Sequence, residues 1–196
     1  MTAIETQQRV RPEIVENYRD FEPPANFKRS LDELLDAVPE KYLVGLKIIV
    51  LTNQAALSRD QRRQKTWSRN HKIRLADARG WYQRASRTSP ANICLYVDNI
   101  LRSEQPWIRR IPLLRYEVLG TVLFHEVGHH IHAAHKPVFD GKENVAEDWS
   151  RKLFVRFLRL RYWYLMPLLY PVALVIRLVR RLRAKVGRSV CTGAIN

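Results

Sequence analysis

Cysteine is almost missing from this chain: Cys94 and Cys191 are the only two among 196 residues. Two thiols cannot build a disulfide framework, and their scarcity suits a reducing compartment. Glycine is sparse at seven, and ten prolines carry no repeat, which excludes collagen-like and low-complexity architectures. Long apolar runs are missing as well. The uncharged apolar stretch Tyr162 to Ile176 spans fifteen residues and is interrupted by Pro167 and Pro171. A simple membrane-spanning helix takes roughly 17–25 residues, so one is not expected here. The opening residues, MTAIETQQRVRPEIVENYRDFEPP, hold no apolar run of the secretory kind. Thr2 stands where myristoylation needs glycine, and Gly193 where prenylation needs cysteine. The last absence is positional: no acidic residue follows Asp148.

What is present is a chain with a core and an uneven charge. Hydrophobic residues make up 46%, enough to exclude wholesale disorder. The net charge is +15, of which residues 149–196 carry +11 and the first 148 only +4. A basic excess points to a polyanion, either nucleic acid or an anionic membrane surface. The expected organisation is an N-terminal arm over residues 1–27, a domain over 28–161 and a basic apolar segment over 162–196.

Within the domain, Ser30-Leu31-Asp32-Glu33 reads as a capping box opening a short helix that stops before Pro39. Leu43 to Thr52 reads as a buried strand, Gly80-Trp81-Tyr82 as a short strand or turn, and Asn92 to Asp98 as a strand beside it. Ser58 to Arg74 holds seven Lys/Arg and one acid. It is a solvated face or a contact for an acidic substrate or polyanion. Beyond Pro112, apolar residues at Leu114, Val118, Val122, Phe124, Val127 and Ile131 predict one long helix.

That helix contains His125-Glu126-Val127-Gly128-His129, an H-E-x-x-H motif. Four residues advance a helix by slightly more than one turn, so both imidazoles leave the same face and can grip one ion. Imidazole nitrogen suits Zn²⁺ with an open position for water. Glu126 is placed to take a proton from that water as general base and return it to the leaving amine.

A third ligand has several sources. His135 has the spacing of the metzincin pattern, but His132 replaces the glycine that would turn the chain back. The other source is a second helix containing Glu143, Glu147 and Asp148. Here Glu143-x-x-Ala146-Glu147 resembles the E-x-x-A-[D/N] helix of the gluzincin zinc metallopeptidases. Trp149-Ser150 resembles the Phe-Ala that follows in the small ImmA/IrrE-type members. Upstream, Val38-Pro39, the strands and Gly80-Trp81 are similar to the same small enzymes, over about Leu31 to Leu153.

The resemblance implies an α+β zincin-like domain with a small sheet, metal ligands His125, His129 and Glu143, and catalytic Glu126. It also implies that Ala146 lets the helices pack closely and that the acid one turn later supports a ligand histidine. A strand such as Asn92–Asp98 would take substrate backbone as an added strand, leaving Cys94 and Tyr96 as structural neighbours. Glu147 departs from the usual Asp/Asn, so Glu147 and Asp148 stay open as ligands. His130, His132 and His135 read as a polar helix end. The oxyanion stabiliser is open among Tyr162, Tyr164 and His135.

The expected function is therefore a zinc-dependent metallopeptidase acting on a protein or peptide substrate. The alternative is a membrane- or polyanion-binding module with a structural or degenerate zinc site. The tail predicts a basic amphipathic helix over Val172 to Val186, with Arg177, Arg181 and Lys185 at i, i+4 spacing. Trp163 and Tyr170 suit the headgroup level of an anionic membrane. Packing on the domain is the competing reading, and the apolar content disfavours nucleic acid. The expected location is cytoplasmic, or peripheral on the inner membrane face.

Overall fold

β-branched and aliphatic residues at Leu46–Thr52 and Ala91–Tyr96 form the two central strands of a four-stranded sheet. The computed structural model describes residues 11–68, 71–102, 111–135 and 142–165. It divides into two units, residues 1–157 and 158–196. In the first unit, β1 (Glu13–Asn17) is followed by α1 (Phe27–Asp36) and β2 (Leu46–Thr52). Then come α2 (Arg59–Arg63), β3 (Lys65–Ser68), β4 (His71–Arg74), β5 (Gly80–Gln83) and β6 (Ala91–Tyr96). Helices α3 (Val97–Arg102), α4 (Pro112–His135) and α5 (Lys142–Arg161) complete the described elements, α5 running on into the second unit.

The sheet order is β1-β2-β6-β5, with β1, β2 and β6 parallel and β5 antiparallel to β6. Side chains alternate between faces with period two. Ile49 and Leu51 of β2 and Ile93 and Leu95 of β6 are fully buried, while Ile48, Val50 and Cys94 are only half-buried. Leu31, Leu34 and Leu35 of α1 and Leu119, Leu123 and Val127 of α4 supply the rest of the main core. Helical spacing of i, i+3 and i+4 puts each set on one stripe. A smaller cluster of Leu57, Leu75, Ala76, Ala78 and Tyr96 lies apart, with Ile73, Trp81 and Cys94 against it. The result is mixed α and β, with a small sheet and a long helix, as the α+β expectation required.

Two sequence expectations are corrected. The stretch expected to be an arm supplies β1, which extends the sheet by pairing Glu13–Asn17 with Ile48–Thr52. Arg11 fastens its entry to α1 through Asp32 at 2.8 Å and Asp36 at 3.0 Å. The Ser30–Glu33 capping box does not form, because α1 begins one turn earlier at Phe27. Ser30 is buried inside the helix and donates back to the Asn26 carbonyl at 2.9 Å. Glu33 pairs with Arg29 and accepts from the Tyr116 hydroxyl of α4. A true capping box opens α2 instead, between Ser58 and Gln61. The basic stretch 58–74 is α2 followed by the β3–β4 hairpin.

Asp98 and Asn99 lie in the first turn of α3. Asp98 accepts from the Gln54 backbone at 3.1 Å. The buried Asn99 amide donates to the carbonyls of Ala76 at 2.6 Å and Ala78 at 2.8 Å, fixing the chain that leads into β5.

In the second unit, the end of α5 runs into a short 3₁₀ turn at Trp163–Leu165, with Trp163 and Tyr164 exposed. Tyr170, Pro171, the helix expected over Val172 to Val186 and Cys191 lie outside the described residues, as does the turn over 136–141. Among the described residues no helix is long and apolar enough to cross a membrane.

Asn99→Ala strands two buried carbonyls. It should lower stability by about 1–3 kcal/mol, the cost of unsatisfied buried polar groups. Urea unfolding measures this, and a loss below about 0.5 kcal/mol would mean that Asn99 does not anchor the segment before β5.

Candidate metal centre

Helix α4 continues without a break from Pro112 to His135. His125 and His129 therefore lie one turn apart, their Nε2 atoms 3.2 Å from each other. Glu143 enters from the first turn of α5, with Oε2 3.4 Å from His125 Nε2 and Oε1 3.6 Å from His129 Nε2. Zinc held tetrahedrally at about 2.0–2.1 Å sets neighbouring donors about 3.3 Å apart, so these separations fit. Glu143 Oε2 is also buried without a hydrogen-bond partner, the position of an atom reserved for another ligand. These three residues could hold a metal ion.

The second helix reaches the first through two small residues. A Cβ on Gly128 would lie 2.7 Å from the Ala146 carbonyl oxygen and 2.8 Å from its Cα, closer than such atoms approach. Glycine therefore lets α4 touch the α5 backbone. Ala146 is fully buried at that contact. One turn before Ala146 on the same face lies Glu143, and one turn after it Ser150, which donates to the Thr121 carbonyl of α4 at 3.2 Å. The helices thus run antiparallel at the site. Trp149 meets the Tyr42 ring edge-on at 4.8 Å, and Arg156 Nε donates to the Ala37 carbonyl at 2.9 Å.

The other ligand possibilities separate cleanly. Glu147 is exposed and pairs with Arg151 at 3.7 Å, so it neither joins the histidines nor supports one. Its place four residues after Glu143 is followed by solvent, because the contact face of α5 runs through Glu143, Ala146 and Ser150. Asp148 is exposed. The helix does not turn back after His129, so the metzincin route to His135 is not taken.

Glu126 sits beside these three residues but outside their group. It is buried, and its carboxylate lies over Gly80, where a Cβ would come within 2.8 Å of Oε1. The Tyr82 backbone N–H donates to it. Burial, with the Glu143 charge adding, pushes its pKa up to about 8, against the opposing pull of the Tyr82 N–H. A bound cation would counter both causes of the rise.

His130 is not part of a polar helix end. It is buried, and its Nε2 donates to the Val44 carbonyl at 3.0 Å, which leaves Nδ1 to accept from the Tyr82 hydroxyl at 3.3 Å. Its ring also stands edge-on to Tyr82 at 5.6 Å. His132 is half-buried. Cys94 is half-buried, with burial raising its thiol pKa to about 11, so it remains a thiol. Tyr162 and Tyr164 belong to the second unit.

The strand at the cleft is β5 and not β6. β6 is paired on both sides, so Asn92–Asp98 has no edge to offer an added strand. The Arg79 carbonyl accepts from Tyr96 N–H at 2.9 Å, so alternate residues 79, 81 and 83 bond inward. Gly80 and Tyr82 then turn their backbone groups outward, towards Glu126. A cleft of about 440 Å³ lies between residues 77–82 with Thr66 on one side and His125, Glu126, His129 and Glu143 on the other. A larger hollow of about 620 Å³ near Asn53, Asp98 and Arg102 contains none of these four, so size does not mark the chemistry.

Sequence reasoning brought together His125, Glu126, His129 and Glu143, but missed Gly80, Gly128 and the His130–Tyr82 pair. A small residue inside each helical motif, Gly128 and Ala146, was the available signal for the crossing. The chain matches no protein-family model, no curated protein and no solved structure.

Two outcomes follow from this geometry. Glu143→Ala should cut zinc affinity by more than the ~10–100-fold typical of a supporting residue, and Glu147→Ala should leave it within about threefold. Competition with a chromogenic chelator reads both, and the reverse order would assign the ligand to Glu147. Gly128→Ala would gain up to about 1 kcal/mol of helix propensity at an open site. Here the α4–α5 contact should make it a net loss of about 1–3 kcal/mol with weakened zinc binding. A stabilised Gly128→Ala protein with unchanged zinc affinity would contradict the close crossing.

Proposed function

We propose that this chain is a zinc-dependent metallopeptidase with a zincin-like fold of the gluzincin kind, most similar to the small ImmA/IrrE-type enzymes. The observation that carries the reading is one cleft holding both a His-His-Glu donor triangle and a separate buried carboxylate. A structural zinc site has four closed ligands and needs no base beside it. Here three donors come from the chain, with their side chains 19%, 19% and 26% exposed, so solvent or substrate can supply the fourth.

His125, His129 and Glu143 would hold the ion. When bound, zinc supplies a Lewis acid that polarises a carbonyl and lowers the pKa of a water molecule beside it. Glu126 takes the proton from the attacking water and hands it to the departing amine nitrogen. Its burial suits the task, because a carboxylate that protonates readily near neutral pH both accepts and returns a proton. The Tyr82 N–H holds its oxygens in place through the transfer. The outward-facing edge of β5 offers the Gly80 backbone and the Tyr82 carbonyl to an extended peptide, which would lie against the His125–Glu126 stretch of α4.

Glu126→Gln is close in volume and retains the hydrogen bond from Tyr82. The variant should bind zinc as the unaltered protein does while peptide hydrolysis falls about 10²–10⁴-fold. Zinc stoichiometry and cleavage of an unstructured protein such as casein measure the two properties. Unchanged hydrolysis would remove Glu126 from the mechanism. Absence of hydrolysis by the zinc-loaded, unaltered protein across a broad peptide library would favour the binding-module alternative.

A further inference from the structure

The charge of the first 148 residues is concentrated in one segment. Arg59 to Arg87 holds ten Lys/Arg against Asp60 and Asp77, a net +8, while the remaining residues of that stretch sum to −4. The fold sets this segment at the cleft. Thr66 of β3 and residues 77–82 form the wall opposite the histidines, with exposed Arg79 and Asp77 both lining it. Lys65 and Arg74 stand directly opposite each other across the β3–β4 hairpin, both exposed. Like charges in that register repel and cost stability. Arg84 is exposed immediately after β5. Among the described residues, none of Lys65, Arg74, Arg79 or Arg84 forms an ion pair. Arg62, by contrast, is folded back onto the Leu57 and Ala55 carbonyls.

We propose that the basic side chains on and around this wall select acidic stretches in a polypeptide, with Arg79 in the cleft and Lys65, Arg74 and Arg84 at its rim contacting Asp or Glu side chains of a segment laid along the β5 edge. The proposal rests on the peptidase reading and adds its substrate class. An anion there relieves the Lys65–Arg74 repulsion, and exposed charges of one sign around the rim of a cleft concentrate their counter-ion. A polypeptide fits better than a nucleic acid because the adjoining strand edge offers backbone partners. The Trp81 ring of β5 is half-buried against the cluster of Leu57, Leu75 and Tyr96, and so is not the freely exposed platform that stacked bases use.

The test is fluorescence anisotropy with full-length, zinc-loaded Glu126→Gln protein, which binds without cleaving. Three labelled synthetic peptides of one length would be compared: Glu-rich, Gln-rich and Lys-rich. The Glu-rich peptide should bind about tenfold or more tighter than the Gln-rich one at low salt, with the difference shrinking at high salt. Reversing the wall (Lys65→Glu, Arg74→Glu, Arg79→Glu, Arg84→Glu) should abolish the preference. Neutralising the same four to Gln should reduce it with zinc stoichiometry unchanged, which separates charge from misfolding.

The basic tail supplies the control: Arg177→Glu, Arg181→Glu and Lys185→Glu in the full chain should leave the preference intact. Equal binding of the three peptides, a preference that survives wall reversal, or its loss on tail reversal would overturn the proposal. Tighter capture of a single-stranded oligonucleotide than of the Glu-rich peptide, lost on wall reversal, would overturn it too. Failure of the peptidase reading looks different: wall-dependent binding of the Glu-rich peptide persists, yet unaltered zinc-loaded protein cleaves nothing.

Discussion

Gly128 and Ala146 bring two helix backbones into contact, and the grouping of His125, His129 and Glu143 depends on that approach. Helix α4 alone can present two imidazoles, since i, i+4 spacing puts them on one face. A third donor must come from another element, and its reach is set by how closely that element packs. With any side chain at position 128, the Cβ would fall within 2.7 Å of the Ala146 carbonyl. Glycine costs about 1 kcal/mol in a helix interior relative to alanine, less than the overpacking it avoids. The same face of α5 then carries Glu143 to the histidines and Ser150 to the Thr121 carbonyl, so one crossing positions ligand and scaffold together.

A second close approach organises the opposite side of α4. At Gly80 the strand has no Cβ, and the Glu126 carboxylate occupies the space. The Tyr82 N–H then reaches that carboxylate, and the Tyr82 ring is held by His130, whose other nitrogen is committed to Val44. Glu126 is thus positioned by the strand that borders the cleft, while Glu143 is positioned by the helix on its far side. Burial first, and the neighbouring Glu143 charge second, raise the pKa of Glu126. A cation between the histidines and Glu143 is the natural counter-charge.

How much of this was legible in the sequence follows the range of the interactions involved. His125, Glu126 and His129 were readable because helix periodicity is local. Glu143 was favoured over Glu147 only through a resemblance, and the structure gives a physical reason: Glu143, Ala146 and Ser150 share the contact face. The strands β2, β5 and β6 were readable as apolar runs, but which of them is the edge depends on pairing partners distant in sequence. The strand that borders the cleft is accordingly β5, where the sequence reading favours Asn92–Asp98. β1 was hidden because Glu13, Glu16 and Asn17 leave few apolar positions in it, and its stability comes from pairing with β2. The Ser30–Glu33 pattern misled because α1 starts at Phe27, whose burial anchors a turn that local capping signals do not report. His130 looked like a surface histidine because only the tertiary fold supplies its two partners.

The central claim is that one ion bridges α4 and α5 through His125, His129 and Glu143. The most direct measurement is a crystal structure of the zinc-loaded protein, with anomalous difference data collected across the zinc absorption edge. The account predicts one peak per chain, within about 2.0–2.2 Å of both Nε2 atoms and of a Glu143 carboxylate oxygen, with Glu126 outside the coordination shell. A peak held by Glu147 or His135 in place of Glu143, or no peak near the histidine pair at stoichiometric zinc, would contradict it.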